Sequence, residues 1–282
     1  MNSFSEEWLR LREPADAAAR NPEIASGLAA HLADRTKVTF VDLGCGAGAN
    51  LGHTALLLPR DMRQCWRLLD HDPRLLLSAR GRLAAWADKF SEAPSGALQL
   101  EKGGREIEVS FCEADLNGNI ERFLHPDEIV TASAFFDLVS RDWIVRFAQA
   151  VAAVGSAVYA PLTYNGIQIW SPPHPADWPM LVAFNVHQRR DKRFGTAAGP
   201  GAAAALHEVL CERGYTVTRG DSSWRLGPQD ANLIAMLAET SAAAVAELGL
   251  FDEQAIAKWK ESRLGAASCL VGHTDILALP AA

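Results

Sequence analysis

The stretch VDLGCGAG, which runs from Val41 to Gly48, decides the fold of this 282-residue chain. It ends an apolar, β-branched run that starts at residue 37 and is typical of a buried parallel strand. Glycine lacks the Cβ atom that would keep a ligand away from the backbone, so closely spaced glycines before a helix bring N–H groups next to a ligand. The stretch therefore predicts a ligand-binding loop between a first strand and a helix at residues 49–58.

Two acids follow the next two predicted strands. Asp70 ends the run at residues 65–69, and Asp115 with Leu116 follows the run at 107–112. In open α/β sheets the ligand lies outside the carboxyl ends of the strands. There Asp70 can accept both hydroxyls of a ribose, and Asp115 can accept an adenine amino group while Leu116 packs on the ring. The three features in this order favour an adenosine-bearing ligand.

A dinucleotide fingerprint is the alternative interpretation of the same loop. That fingerprint reads G-x-G-x-x-G, and the register from Gly44 places Ala49 at the third glycine, where alanine is tolerated. It has no place for Asp42 or for a glycine at Gly48. A nicotinamide-dependent oxidoreductase on a similar sheet is therefore disfavoured but stays open.

Strands alternate with helices over most of the chain, which predicts a doubly wound, mostly parallel α/β sheet. The predicted strands occupy residues 37–43, 65–69, 107–112, 128–134, 156–161, 215–219 and 268–279. Three segments exceed this alternation, and connections of such length usually have a function or their own structure. We expect an N-terminal helical lid at residues 1–35 and a main domain at 36–282. The main domain carries insertions at 163–200 and 228–264.

Three motifs resemble those of the class I S-adenosylmethionine-dependent methyltransferases over residues 36–161. VDLGCGAGANL resembles their glycine-rich first motif, LLDHDP their ribose-binding acidic motif, and CEADL the motif beside the adenine. The resemblance implies a Rossmann-like seven-stranded sheet in the order 3-2-1-4-5-7-6 with the last strand antiparallel. It implies S-adenosylmethionine as the cofactor and methyl transfer as the activity.

The resemblance also assigns cofactor contacts residue by residue. The glycine loop would contact the methionine part, Asp70 the ribose, Asp115 and Leu116 the adenine, and the end of the fourth strand the sulfonium. The N-terminal segment WLRLREPADAAAR is similar to the entry helix of small-acid methyltransferases such as trans-aconitate methyltransferase. An arginine in this segment is therefore a candidate for binding the carboxylate of the cofactor. The predicted cofactor residues are Asp42, Gly44, Cys45, Gly46, Gly48, Asp70, His71, Asp115, Leu116, Ser133, Phe135, Arg12 and Arg20.

The acceptor is predicted to be a small molecule methylated on a hydroxyl or a carboxylate rather than on an amide. Amide and exocyclic-amine methyltransferases of the family carry an Asp/Asn-Pro-Pro-Tyr-like turn after the fourth strand, where this chain has Ala134-Phe135-Phe136-Asp137. Methyl transfer needs collinear positioning and exclusion of water, and a hydroxyl acceptor usually also needs a base. The candidate bases are His174 and His187, followed by Asp137 and Tyr164.

The first insertion is the predicted acceptor site. Trp170 would wall a pocket or pack as a structural cap, and Arg189 with Arg190 would neutralise an anionic acceptor or form a solvated face. The histidines show no metal-ligand spacing, so no metal is expected. A non-enzymatic alternative is a cofactor-binding subunit that acts through a partner.

Composition limits the remaining classes of function. Lysine plus arginine is 27 and aspartate plus glutamate is 34, so the net charge is −7, which disfavours nucleic acid and anionic membranes as partners. Five widely spaced cysteines without a CxxC pair indicate reduced thiols. The polar, acidic start MNSFSEEWLR differs from a signal peptide, so we expect a cytoplasmic protein. Sequence alone leaves the oligomeric state open.

Overall fold

The structure, a computed structural model, describes residues 6–281 as one mixed α/β sheet with helices on both faces. Residues 1–5 of the predicted lid and residue 282 lie outside this range. The helices in the described range are α1 (Glu6–Ala19), α2 (Pro22–His31), α3 (Ala49–Thr54), α4 (Pro73–Trp86), α5 (Arg141–Val154), α6 (Asp177–Gln188), α7 (Ala202–Cys211), α8 (Ala231–Ala246) and α9 (Glu253–Leu264).

The strands of the described residues form one sheet in the order β3-β4-β5-β2-β1-β6-β7-β10-β8, with β9 paired to β10. They are β1 (Lys37–Leu43), β2 (Arg63–Asp70), β3 (Lys89–Glu92), β4 (Leu98–Lys102), β5 (Arg105–Glu113), β6 (Ile129–Thr131), β7 (Ala157–Ser171), β8 (Thr216–Asp221), β9 (Trp224–Leu226) and β10 (Ser268–Leu279). The strands β5-β2-β1-β6-β7-β10-β8 reproduce the predicted order, and β10 runs antiparallel to β7. The predicted fold class is thus confirmed.

Three strands were not predicted. After α4 ends at Trp86, the chain forms β3, which pairs with β4 as an antiparallel extension beside β5. Short strand β9 pairs with β10 through Leu226 and Cys269. Such edge pairing depends on partners elsewhere in the chain, which local patterns do not reveal.

The fifth predicted strand is much longer than expected. It was placed at residues 156–161, but β7 continues to Ser171 because β10 pairs with it as far as Ser268. The first part of the predicted insertion at 163–200 is therefore sheet, and only the later part forms α6 and the loop after it.

Two hydrophobic clusters lie on opposite faces of the sheet, and β1 contributes to both. Val41 and Leu43 pack in the cluster that contains α5 and α7, whereas Val38 and Phe40 pack in the cluster that contains α2, α3 and α4. Phe40 stacks on Trp66 of β2 with ring centroids 4.2 Å apart. A central strand buried on both faces holds the loop at its carboxyl end in a fixed place.

A third cluster joins the extended parts of β7 and β10 to α6, α8 and α9. Trp170 and Trp259 meet edge to face there, with centroids 6.0 Å apart. Within residues 6–281, no helix combines the length and the apolar character that crossing a membrane requires.

Candidate functional site

A cavity of about 1000 Å³ opens at the carboxyl ends of β1, β2, β5 and β6. Strand order reverses around β1, because β2 pairs on one side of it and β6 on the other. Such a switch point is where ligands bind in open α/β sheets. The cavity is at the upper end of the roughly 300–1,000 Å³ found for ligand pockets, which leaves room for a cofactor and a second small molecule.

The three predicted glycines serve different purposes in the loop after β1. Gly44 and Gly46 line the cavity with φ angles of +63° and +53°. A Cβ atom at Gly44 would lie 2.6 Å from the Phe135 ring, so only glycine lets this ring approach the loop. Gly48 faces away from the cavity towards Leu83 of α4 and precedes the first residue of α3 with φ +81°. Gly48 does not line the cavity, and its contact with the cofactor stays a prediction.

Cys45 lines the cavity between these glycines. Its backbone N–H donates to the carbonyl of Leu69 at 3.0 Å, which ties the loop to the end of β2. Burial raises the pKa of the Cys45 thiol well above its usual value, so the side chain is an uncharged part of the wall.

Asp70 at the end of β2 organises the loop from the other side. Its Oδ2 accepts the backbone N–H of Gly46 at 2.9 Å, and its Oδ1 accepts that of Asp72 at 3.0 Å. Oδ1 also lies 3.3 Å from Nδ1 of His71. The side chains of Asp70, His71 and Asp72 line the cavity. The buried carboxylate thus fixes the spacing between the glycine loop and the strand end.

Asp115 and Leu116 line the same cavity after β5. Asp115 Oδ1 accepts the N–H of Asn117 at 3.0 Å, and the carbonyl of Leu116 accepts Nε1–H of Trp143 at 2.7 Å. Both backbone positions are therefore held by hydrogen bonds, and the leucine side chain is buried in the cavity wall.

Asp42 is the buried acid at the base of the cavity. Its Oδ1 accepts Nδ2–H of Asn50 at 2.9 Å, and the same amide group donates to Oγ1 of Thr131 at 3.0 Å. Within the described range, its Oδ2 has no hydrogen-bond partner. Burial, opposed by the Asn50 hydrogen bond, raises the pKa of Asp42 to about 7.

Arg20 does not line this cavity, and its contact with the cofactor stays a prediction. Its guanidinium donates to Oδ1 of Asn50 at 2.9 Å, to Oγ1 of Thr54 at 3.2 Å and to the hydroxyl of Tyr159 at 3.4 Å. These neutral oxygens hold it behind Asn50. It connects the junction of α1 and α2 to the residue that supports Asp42.

Arg12 does line the cavity, on the helix that covers it. It pairs with Asp16 at 2.8 Å and lies over the Trp224 ring, 5.1 Å from the centroid. Asp16 also accepts Nε1–H of Trp224 at 3.0 Å. The contact of Glu13 with Arg82 of α4 ties α1 to the opposite side of the cavity.

Ser133 and Phe135 form the wall after β6, as predicted for the end of the fourth strand. Asp137 follows but is absent from the cavity lining. Its Oδ1 is buried and has no hydrogen-bond partner among residues 6–281, and burial raises the pKa of the carboxyl group. The backbone N–H of Tyr164 and the charge of Lys192 act in the opposite direction.

Two of the predicted acceptor-site residues reach the cavity. His187 and Arg190 line it, and both contact Glu247, which follows α8. Nε2 of His187 lies 3.0 Å from Oε2 of Glu247, and Nη1 of Arg190 donates to the same oxygen at 2.9 Å. Glu247 is 60 residues from His187, and no sequence signal linked the two.

Four other predicted residues are not brought to the cavity. His174 belongs to the turn before α6, where its Nδ1 accepts the N–H of Ala176. Trp170 is buried in the third cluster, and Tyr164 donates its hydroxyl to Asn185. Burial raises the pKa of Tyr164 far above its usual value. Arg189 is exposed at the end of α6. The length of β7 explains two of these placements, since it carries Tyr164 and Trp170 into the sheet.

Several residues at the cavity were missed by sequence reasoning. Leu9, Asn50, Lys192 and Phe194 line it. Lys192 lies two residues after Arg190 in the same basic stretch, so spacing could have suggested it. Leu9 and Asn50 carry no chemical signature that a single sequence reveals.

Comparison with solved structures supports the fold. The chain is similar to a cyclopropane-fatty-acyl-phospholipid synthase-like protein from Lactobacillus casei ATCC 334, with a TM-score of 0.56 and 14% identity over 95% of this chain and 92% of that one. It also matches magnesium protoporphyrin IX methyltransferase (ChlM) from Synechocystis PCC 6803 with bound SAH, with a TM-score of 0.49 and 10% identity over 100% of this chain and 90% of that one. No protein-family model matches the sequence, and no curated protein matches it significantly.

The first of these likenesses shows the fold: a Rossmann-like α/β sheet, with the strand order predicted from the methyltransferase resemblance. At 14% identity it shows the architecture alone.

Proposed function

We propose that the protein transfers a methyl group from S-adenosylmethionine to an oxygen atom, hydroxyl or carboxylate, of a small-molecule acceptor. One observation carries the proposal: the glycine loop, Asp70 and the Asp115–Leu116 pair line a single cavity. Two features of that cavity fit the cofactor. Gly44 and Gly46 expose backbone in a left-handed conformation that would be strained for other residue types. Asp42 Oδ2 is a buried acceptor without a partner among the described residues.

In this proposal each end of the cofactor has its own residues. The loop at Gly44–Gly46 would take the methionine part, Asp70 with His71 the ribose, and Asp115 with Leu116 the adenine. When bound, S-adenosylmethionine supplies an electrophilic methyl group on a positively charged sulfonium. The contribution of the chain is to hold donor and acceptor in line and to keep water out.

The acceptor would enter at the end of the cavity formed by α1 and the loop after α6. Leu9 and Arg12 cover it from one side, and Lys192 and Phe194 from the other. Ser133 and Phe135 would lie beside the reacting centre. We therefore propose that residues 1–35 act as a lid, and that the cavity-facing part of the 163–200 segment is its loop after α6. The 228–264 segment would support this loop through Glu247.

A base is needed for a hydroxyl acceptor and not for a carboxylate. Of the four candidates, His187 is the one that lines the cavity, and Glu247 holds its ring through Nε2. We propose His187 as the base if the acceptor is a hydroxyl. The negative net charge supports a small molecule rather than a nucleic acid as the partner, and five free cysteines support a cytoplasmic setting.

Calorimetry with S-adenosylmethionine, S-adenosylhomocysteine and NAD tests the cofactor. We expect saturable micromolar-range binding of the first two and none of NAD. Saturable binding of NAD alone would favour the oxidoreductase alternative and overturn the proposal.

Transfer of a radiolabelled methyl group to a panel of hydroxy acids and phenols then tests the reaction. Label that alkali releases identifies a methyl ester, and label that resists alkali identifies an ether. Cofactor binding without transfer to any member of the panel would favour the non-catalytic subunit.

A further inference from the structure

The cationic side chains around the cavity differ in whether a carboxylate neutralises them. Four arginines each form an ion pair with a carboxylate: Arg12 with Asp16, Arg74 with Asp72, Arg82 with Glu13 and Arg190 with Glu247. The nitrogen–oxygen distance is 2.8 Å in the pairs of Arg12 and Arg74 and 2.9 Å in the pair of Arg190. The cavity-lining cations are Arg12, Arg74, Arg82, Arg190, Lys192 and Arg193. Across residues 6–281, no carboxylate oxygen lies within 4.0 Å of the amine of Lys192 or the guanidinium of Arg193.

Lys192 is the better placed of these two cations. Its side chain is half-buried, and its Nζ donates to the neutral Oε1 of Gln188 at 2.9 Å. Burial lowers the pKa of Lys192, while the charges of Asp137 and Glu247 oppose this shift. Removing an ammonium group from water costs free energy unless it is paired, so this position favours the arrival of an anion.

The two nearby acids do not block an anion at this position. Glu247 already accepts Arg190 and contacts His187 through the same Oε2. Asp137 lies outside the cavity lining, and burial raises the pKa of its carboxyl group. Neither oxygen set reaches within 4.0 Å of Lys192, and an incoming anion would not have to displace either acid.

The backbone around Lys192 is held before any ligand binds. Asp191 Oδ1 accepts the N–H groups of Arg193 at 2.7 Å and of Gly195 at 3.1 Å. The carbonyl of Arg193 accepts Nδ2–H of Asn117 at 2.8 Å, which ties the loop to the segment after Leu116. A cation on a fixed loop loses less entropy when it binds.

We propose that Lys192 binds an anionic group of the methyl acceptor, a carboxylate or a phosphate, so that the site selects acidic small molecules. The inference rests on the proposed function, since it concerns the second ligand of the same cavity. Arg193 lies next to it on the cavity wall and adds positive charge. The predicted anion-binding pair Arg189 and Arg190 is thereby replaced, because the first is exposed and the second is occupied by Glu247.

The test is calorimetry on the full chain saturated with S-adenosylhomocysteine. The probes are benzoate and phenyl phosphate, which separate the two anion classes, and benzamide as the neutral counterpart of benzoate. We expect at least one anion to bind the wild type and benzamide to show no saturable binding. A hydrogen bond to a charged group contributes a factor of roughly 10–150 in affinity, so Lys192→Met should weaken the anion at least about tenfold.

Two further variants make the comparison sharp. Lys192→Arg keeps the charge and should retain the anion within about threefold, that is, within roughly 0.7 kcal/mol. Arg189→Met removes a cation from the same run at an exposed position outside the cavity lining and should leave all affinities unchanged. Equal affinity of the anion for wild type and Lys192→Met, or no anion binding to the wild type, would overturn the inference.

The affinity for S-adenosylhomocysteine separates this failure from failure of the proposed function. It should change by less than about threefold in Lys192→Met. A large loss there would instead assign Lys192 to the carboxylate of the cofactor and overturn the acceptor role. If the wild type binds no S-adenosylhomocysteine, the proposed function itself fails, and that result is visible before any anion is added.

Discussion

Replacement of Gly44 by alanine tests how the glycine loop shapes the cavity. The new Cβ would lie 2.6 Å from Cδ2 of Phe135, whereas ordinary contacts start at 3.4 Å, so the ring has to retreat by about 0.8 Å. Its retreat is restricted, because Trp143 and Phe194 contact it with centroids 5.5 and 5.8 Å away. Overpacking of this kind costs roughly 1–3 kcal/mol.

Backbone strain adds a second cost that a matched control can isolate. Gly44 has φ +63°, a left-handed conformation that costs an L-residue roughly 1–2 kcal/mol. Gly155 at the end of α5 has φ +67°, and a Cβ there would meet nothing within 4 Å. Gly155→Ala should therefore carry the strain alone, and Gly44→Ala the strain plus the displacement of Phe135.

Thermal unfolding and S-adenosylhomocysteine titration together measure the difference. We expect Gly155→Ala to lower Tm modestly, by roughly 2–4 °C per kcal/mol, with unchanged ligand affinity. Gly44→Ala should lower Tm further and weaken the ligand at least about tenfold, because the new Cβ and the displaced Phe135 ring both alter the cavity wall. Should the two variants match in both measurements, the contact of Gly44 with Phe135 has no role in the site.

Three other substitutions test separate parts of the site. Asp70→Ala removes the acceptor of the Gly46 N–H. The affinity for S-adenosylhomocysteine in calorimetry should fall by roughly 10- to 150-fold, that is, by 1.5–3 kcal/mol. Unchanged affinity in the folded variant would refute the ribose assignment. Asp42, with a pKa raised from 3.8 to about 7, holds its proton better in the folded state than in the unfolded state. The free energy of unfolding should therefore fall between pH 5 and pH 8, and the fall should be larger in the wild type than in Asp42→Asn by on the order of 2–3 kcal/mol. Parallel urea-denaturation profiles of the two proteins over this pH range would contradict this. Asp16→Ala leaves Nε1–H of buried Trp224 without its acceptor and should cost about 1–3 kcal/mol in urea denaturation; a loss below roughly 0.5 kcal/mol would show that this bond does not anchor α1.

The cofactor end of the cavity was predictable because each of its parts is local in sequence. Gly44 and Gly46 follow β1, Asp70 ends β2, and Asp115 follows β5, so each contact needs only a strand and the residues next to it. Parallel strands then bring these ends to one edge of the sheet. The order of the seven main strands was predicted from the family resemblance, and that resemblance is carried by the same local motifs.

The part of the cavity proposed to hold the acceptor was not predictable in this way, since it is assembled from segments far apart in the chain. Leu9 comes from α1, His187 and Lys192 from the end of α6 and its loop, and Glu247 follows α8. Whether a cation in a basic run is free depends on which acid reaches it, and Glu247 selects Arg190 rather than Lys192. Sequence distance gives no access to that choice.

This division has a physical consequence for specificity. The residues that would hold the cofactor end or follow strands of the sheet, and β1 among these strands is buried on both faces, so a substitution there disturbs the packing of the whole sheet. The acceptor end stands on α1 and on the loop at residues 191–194, whose hydrogen bonds to Asn117 and within the loop fix its backbone but leave its side chains facing the cavity. Exchanging Lys192 for a neutral or acidic side chain therefore changes the charge offered to an acceptor without moving a strand. We therefore expect acceptor choice in this architecture to change while cofactor binding is retained. The affinities of Lys192→Met for the anion and for S-adenosylhomocysteine test this directly, with Arg189→Met as the control.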